Sequence, residues 1–403
     1  MKKRIYSIDV LKLVFAYIIA FFHFGTTIAP GPTVAVQVFF IISGFFLGKK
    51  FYARSFADGG KSYGAWDYTL DHVTSIYPHY LFSLAAFFLY TLARSLVHLA
   101  MSPSWDKVSA IALDFYNQIP DLLLLQSAYR FHESLNYPLW QLSALVIAGF
   151  FVYGLLCRNE RVSRTLLFPA AILMIQSLLY SGVDLWENYG FFYLPLLRAF
   201  SPLCIGVLTF YFTTTPYYEQ LKAKKVLFNL AVILSAVTIF AYADLANIFL
   251  ITTPILILGC YDGASWVNAV LNRRIFRNFG KFSYAVYLNH ALVARFVQAR
   301  LIPGAQARGI GLTQWQSGGI FFVLLTAYSV LTLFLVETWK NKRRNKAAVQ
   351  NAFPAAFGFE EKNAGRKICR SNYALTSCFA RTTSAIRRNI ARKIMQLRKK
   401  PGS

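Results

Sequence analysis

The sequence predicts an all-α integral membrane protein of about ten transmembrane helices. Both termini are expected in the cytoplasm, with a basic C-terminal tail. Three observations predict this. The 403 residues are 56% hydrophobic and 17% aromatic but only 15% charged, where soluble domains carry about 25% charge. Apolar stretches of near-bilayer length recur up to about residue 340. Lysine and arginine gather on alternate connections between those stretches. Disorder is excluded for most of the chain, because it requires low hydrophobicity. The net charge of +25 would suit a nucleic-acid binder, but 37 Phe and 24 Tyr spread through long apolar runs do not. No nucleic-acid partner is expected, and the lipid bilayer is the first partner.

The stretches lie at roughly 5–25, 34–51, 76–98, 138–157, 165–181, 192–213, 226–242, 246–261, 283–300 and 318–337. A lipid-embedded strand leaves its backbone groups unsatisfied, so these segments are helices. They are too long and too unalternating for barrel strands. The first opens on MKKR and resembles a secretory signal, but Lys12 interrupts it and no clean cleavage site follows, so it reads as a retained span. With the N-terminus inside, the inner connections and tail hold 34 Lys/Arg, and the outer connections hold three, Lys107, Arg130 and Arg308. Without the tail the split is still 17 to 3, which supports an even number of crossings. From Lys340 onward, 17 bases face two acids, Glu360 and Glu361. The chain therefore divides into a membrane domain, 1–340, and a cytoplasmic tail, 341–403. The tail reads either as disordered or, around 379–399, as a basic amphipathic helix on anionic lipid. Five cysteines without a CxxC pair give neither a disulfide framework nor a metal site.

Ionisable groups inside spans are functional candidates by default. Lys12 and His23 are eleven residues apart, three helical turns plus 20°, so they share a face about 16 Å apart along the axis. Asp9 lies on the same face, three residues before Lys12, and is placed to pair with it. Lys12 also fits a snorkelling residue, and His23 an interfacial one. Ser43-Gly44 reads first as close helix packing. His72 and His79 fit interface histidines beside a helix-starting Pro78. Arg94 and Arg295 fit outward snorkelling, whereas Arg198, a third of the way into its span, is harder to dismiss. His290 lies midway along the ninth stretch with Tyr287 on the same face, which also fits a buried histidine bonded to that tyrosine. The longest outer loop, 99–137, carries His98, His132 and Glu133, which fit either acceptor contacts or plain solvated residues.

Six elements in order resemble the acyltransferase-3 family of bacterial integral-membrane acyltransferases, the polysaccharide O-acetylase type. They are Asp9, Lys12 and His23 in the first helix; the block Phe39 through Phe45, containing Ser43-Gly44; Ser75-Ile76-Tyr77-Pro78; Trp140-Gln141-Leu142; Arg198 through Gly206; and Gly280 through His290. The resemblance covers about residues 5–340. It implies a multi-pass protein of the bacterial cytoplasmic membrane. The implied reaction moves an acyl group, usually acetyl from acetyl-CoA as co-substrate, to a hydroxyl of a cell-surface or lipid-linked glycan. His23 and Lys12 are the expected catalytic residues, with His23 either the base that takes the hydroxyl's proton or a transient acyl carrier passing the group outward. Lys12 and Arg198 would hold the donor's phosphates, and Ser43, Tyr284, Tyr287 and His290 would contact substrate. The family commonly has arginine where this chain has Lys12, and lysine lacks the planar fork. It often has arginine near the Tyr-Pro, where this chain has Ser75 with His72 nearby. Residues 341–403 have no counterpart in the family pattern.

Two other functions fit the composition. A polytopic transporter of a sugar or acyl substrate is one, although no convincing repeat relates residues 1–170 to 171–340. A scaffold acting through its basic tail is the other.

Overall fold

The computed structural model describes residues 4–26, 32–55, 63–128, 134, 136–181, 188–189, 192–241 and 248–356. The chain divides into two compact units, Met1–Asn341 and Lys342–Ser403. Of the second, residues 342–356 are described and are helical. The predicted amphipathic segment at 379–399 lies outside the described residues, as do His132 and Glu133.

The first unit is a helical bundle. Its main helices are α1 (Tyr6–His23), α2 (Pro32–Ser55), α3 (Ala65–Met101), α4 (Trp105–Asn117), α5 (Trp140–Arg158), α6 (Phe168–Tyr180), α7 (Leu194–Phe212), α8 (Lys225–Ala241), α9 (Phe249–Tyr261), α10 (Phe279–Phe296) and, up to Asn341, α11 (Gln314–Ala356). A two-residue antiparallel ribbon pairs Asn188 with Tyr193 ahead of α7. Each predicted stretch overlaps one of these helices, and α4 is additional. Among the described residues, six helical segments are long and apolar enough to cross a bilayer, and a seventh candidate is the pair Pro216–Ala223 and Lys225–Ala241, bent by 95°. The protein is an all-α, multi-pass membrane protein. At 13 residues each, α6 and α9 rise only about 20 Å, short of the ~30 Å core. Pro78 lies inside α3 rather than at its start. The helix begins eleven residues before Ile76 because the Asp67 carboxylate accepts the Gly64 amide at 2.9 Å, closing the first turn there.

Contacts between helices give their relative directions. In α1 and α10, Asp9 meets Gly280 and His23 meets His290, so the two run the same way. In α3, Ser83 bonds Leu288 and Phe87 seats Arg295, so α3 joins that direction. In α2 and α7, Gly44 meets Leu203 and Gly48 meets Phe210, so these also run together. α5 follows α2, with Trp140 beside Phe40 and Tyr153 beside Phe51. α11 opposes α1, since Tyr17 bonds Thr326 whereas Phe24 stacks on Phe321. Two opposed sets result: α1, α3 and α10 run one way, and α2, α5, α7 and α11 the other, since Lys12 of α1 meets Phe46 of α2 whereas Tyr287, beside His290, meets Phe39.

The tightest crossing is that of α2 with α7. A methyl on Gly44 would fall 2.1 Å from the Leu203 carbonyl oxygen, and one on Gly206 would fall 2.0 Å from that of Ile41. Small residues let two backbones touch in lipid, where no hydrophobic force drives helices together.

Candidate active site

The last turn of α1 places His23. The Thr26 amide donates to the Phe21 carbonyl (3.0 Å) and the Gly25 amide to that of Phe22 (2.8 Å), with Gly25 at φ 86°. This is a Schellman closure, which needs a left-handed residue that glycine supplies without strain. The Phe24 carbonyl, left over, accepts the Gln298 side chain at 3.0 Å, tying the end of α1 to the segment after α10.

His290 stands opposite, fully buried on α10. Its Nδ1 lies 2.6 Å from the Tyr287 carbonyl. A carbonyl only accepts, so Nδ1 carries the hydrogen and Nε2 holds the lone pair. That Nε2 is buried without a hydrogen-bond partner. The His23 ring stacks on it, centroids 5.2 Å apart and planes 24° off parallel. The bond read for His290 therefore goes to the backbone of Tyr287, not to its hydroxyl. The Tyr287 hydroxyl instead donates to the Pro138 carbonyl. The Asn136 side chain donates to the Leu288 carbonyl at 3.1 Å. These buried bonds hold Asn136-Tyr137-Pro138 against α10 and bring the Tyr137 hydroxyl to 2.9 Å from His23 Nδ1. Tyr137→Phe removes one hydrogen bond worth about 0.5–1.5 kcal/mol. It is expected to slow acyl transfer roughly 2- to 10-fold in a steady-state assay, with little change in protein yield.

A cavity of about 720 Å³ opens over His23 and Tyr137, within the range of small-molecule sites. Three helices present stripes to it: Phe87, Thr91, Arg94 and His98 from α3, Lys107, Ile111 and Asp114 from α4, and Ala291, Ala294 and Arg295 from α10. The other face of α4 exposes Trp105, Phe115 and Tyr116, which suits a helix lying at a bilayer interface.

The other predicted residues sit elsewhere. Lys12 Nζ lies 4.8 Å from the Phe46 ring. Asp9 does not pair with it: Asp9 accepts Arg4 Nε at 2.7 Å, and a methyl on Gly280 would fall 2.2 Å from Asp9 Oδ1. The carboxylate thus occupies the N-terminal turn of α10, where the helix dipole favours a negative charge. Toward this end of the bundle, Lys49 stands over Tyr261, Lys50 over Tyr63 and Tyr68, and Arg54 over Tyr63. Burial, and Asp71 beside it, hold the Tyr63 hydroxyl well above the ordinary phenol range, so it donates to Asp71. His72 lies parallel to Tyr68, its Nε2 buried without a hydrogen-bond partner.

Arg198 does not join Lys12 in one basic site. The register of α7 on α2 sets Arg198, 4% exposed, level with the Val36–Gln37 turn. Lys12 meets Phe46, roughly 14 Å further along α2 at ~1.5 Å per residue. Ser43 donates to the Phe39 carbonyl of its own helix at 2.8 Å, and the Tyr284 hydroxyl donates to Ile76 at 3.3 Å. Of the predicted substrate residues, His290 alone touches His23. Sequence reasoning passed over Tyr137, the last residue of the outer loop 99–137.

The fold and this site define a polytopic membrane protein with a paired-histidine centre between its first helix and α10. The sequence profile of the acyltransferase domain matches residues 5–337, most of the chain. The chain belongs to the acyltransferase-3 family and is a membrane acyltransferase. No curated protein and no solved structure gives a match.

Proposed function

We propose that the protein moves an acetyl group from cytoplasmic acetyl-CoA to a hydroxyl of a cell-surface or lipid-linked glycan, in a bacterial inner membrane. The supporting observation is the His23–His290 pair beneath an open cavity, with the cations of α1 and α2 toward the opposite end. The positive-inside rule puts the Lys12 end in the cytoplasm, where the anionic donor is. Lys12 and its neighbours take the donor's phosphates, and the pantetheine arm carries the thioester toward His23. The acceptor hydroxyl enters the cavity. With its Nδ1 hydrogen donated to Tyr137, His23 Nε2 removes the hydroxyl proton as the oxygen attacks the thioester carbonyl. The C–S bond breaks, and the thiolate leaves and takes up that proton. Ten crossings with both termini inside, as the placement of the basic residues predicts, keep the Lys12 end cytoplasmic and the His23 end outward.

Two measurements test the reading. Mass spectrometry of surface glycans from cells with and without the protein is expected to show a gain of one acetyl group per modified sugar. No mass change, with unmodified sugar accumulating across the membrane, would favour the transporter. Lys12→Ala is expected to raise the KM for acetyl-CoA about tenfold, the effect of one charge-assisted hydrogen bond. The acceptor KM should hold, and Lys12→Arg should restore donor binding. An unchanged donor KM would move the donor site away from Lys12.

A further inference from the structure

We propose that the cavity over His23 selects an acceptor bearing a negative charge, a carboxylate or phosphate, near the hydroxyl that is acylated, and that Arg94 and Arg295 read that charge. This rests on the acyl-transfer reading and names its acceptor class.

Three cations and one acid line the cavity apart from its histidines: Arg94, Lys107, Arg295 and Asp114. Lys107 is already engaged. Its ammonium donates to the carbonyls of His98 (3.2 Å) and Ser102 (2.8 Å) and to the Ser102 hydroxyl. It binds the chain at the C-terminal end of α3 and ties α4 to it beside the cavity. The two arginines are different. Among the described residues neither takes part in an ion pair, and Asp114 takes part in none. They rise from α3 and α10, which run in the same direction, so both stand on the cavity wall beyond the histidines. The Arg295 guanidinium lies 5.5 Å from the centre of the Phe87 ring, a cation–π seat that orients its fork. It stands five residues past His290, ~7.5 Å along the helix, about the reach from one substituent of a sugar to another. A neutral sugar would leave two guanidinium charges uncompensated at the wall. A carboxylate or phosphate matches each fork with two parallel hydrogen bonds.

Lipid headgroups offer the same phosphate chemistry, so the test separates the two sources. The full chain is placed in nanodiscs of phosphatidylcholine alone, or with phosphatidylglycerol added. Binding of methyl glucuronide, glucose 1-phosphate and neutral methyl glucoside is measured by calorimetry. The charged sugars are expected to bind about tenfold tighter or more than the neutral one, from charge-assisted hydrogen bonds. The preference should survive phosphatidylglycerol, vanish in Arg94→Ala/Arg295→Ala, and persist in part in Arg94→Lys/Arg295→Lys, which also guards against a misfolded alanine variant. Equal binding of all three sugars overturns the proposal. So does a preference that outlives the alanine variant, or one that phosphatidylglycerol abolishes, since the arginines then serve headgroups. Acetyl transfer is assayed in parallel. Charge-selective binding without transfer would sink the acyl-transfer reading and leave the anion site standing. Transfer to neutral and charged sugars alike would do the reverse.

Discussion

His23→Ala is expected to lower acyl transfer by about 10²–10⁴-fold, the usual contribution of a general base, with normal protein in the membrane. The ring sits where it can act: half-buried, oriented by Tyr137 and backed by the flat face of His290. A hydroxyl has too high a pKa to attack a thioester unaided, and no other described side chain that lines the cavity offers a base already held in place by a hydrogen bond. The check is the rate of CoA release in proteoliposomes with donor and acceptor, normalised to folded protein. Full activity in the variant would remove His23 from the chemistry. A burst of CoA release from the wild-type protein with donor alone, lost in His23→Ala, would recast His23 as a transient acyl carrier.

The second large effect is on folding. Gly206→Leu is expected to abolish recovery of folded protein, because its Cβ alone would sit 2.0 Å from the Ile41 carbonyl oxygen and 2.6 Å from the Phe45 nitrogen. Backbone cannot move aside as a side-chain tip can. Even Gly206→Ala should cost about 1–3 kcal/mol or more, the range for overpacking, read as a lower unfolding temperature in detergent. Gly319→Ala is the matched control. It lies in a helix with nothing near its missing Cβ, so that change should hold or slightly raise stability. Equal behaviour of the two alanine variants would mean that the α2–α7 contact does not govern assembly.

Much of the fold was legible because a bilayer enforces length and apolarity on each span separately. The ten stretches show in the sequence one by one, and basic residues mark their ends. His23 and His290 were legible for a related reason: a histidine within an apolar run is costly enough to demand an explanation. What was not legible is which helices touch. A helical wheel puts Asp9 beside Lys12, yet Asp9 turns to Arg4 and to the start of α10. Arg198 was expected beside Lys12 as a second holder of the donor's phosphates. The glycine-set register of α7 on α2 puts them on different levels of the bundle. Tyr137 carried no signal of its own, since its role comes from bonds its neighbours Asn136 and Pro138 make to α10. The cavity wall was hidden in the same way. Arg94 and Arg295 read as snorkelling residues until α3 and α10 are seen to run side by side.

The pairing of α1 with α10 has a consequence for biogenesis. Phe24 and Gln298, bonded across the two, stand 274 residues apart in the chain. At ~5–20 residues per second of synthesis, about 15–55 s separate the emergence of one from that of the other. Throughout that interval α1 lacks the helix whose Gly280 and His290 later meet its Asp9 and His23. A newborn chain therefore has an exposed, charge-bearing first helix that the insertion machinery or the earlier-made helices must shelter. Ribosomes stalled before residue 290 should yield membrane-inserted chains that are inert and prone to degradation, and competence should arrive abruptly rather than in proportion to length.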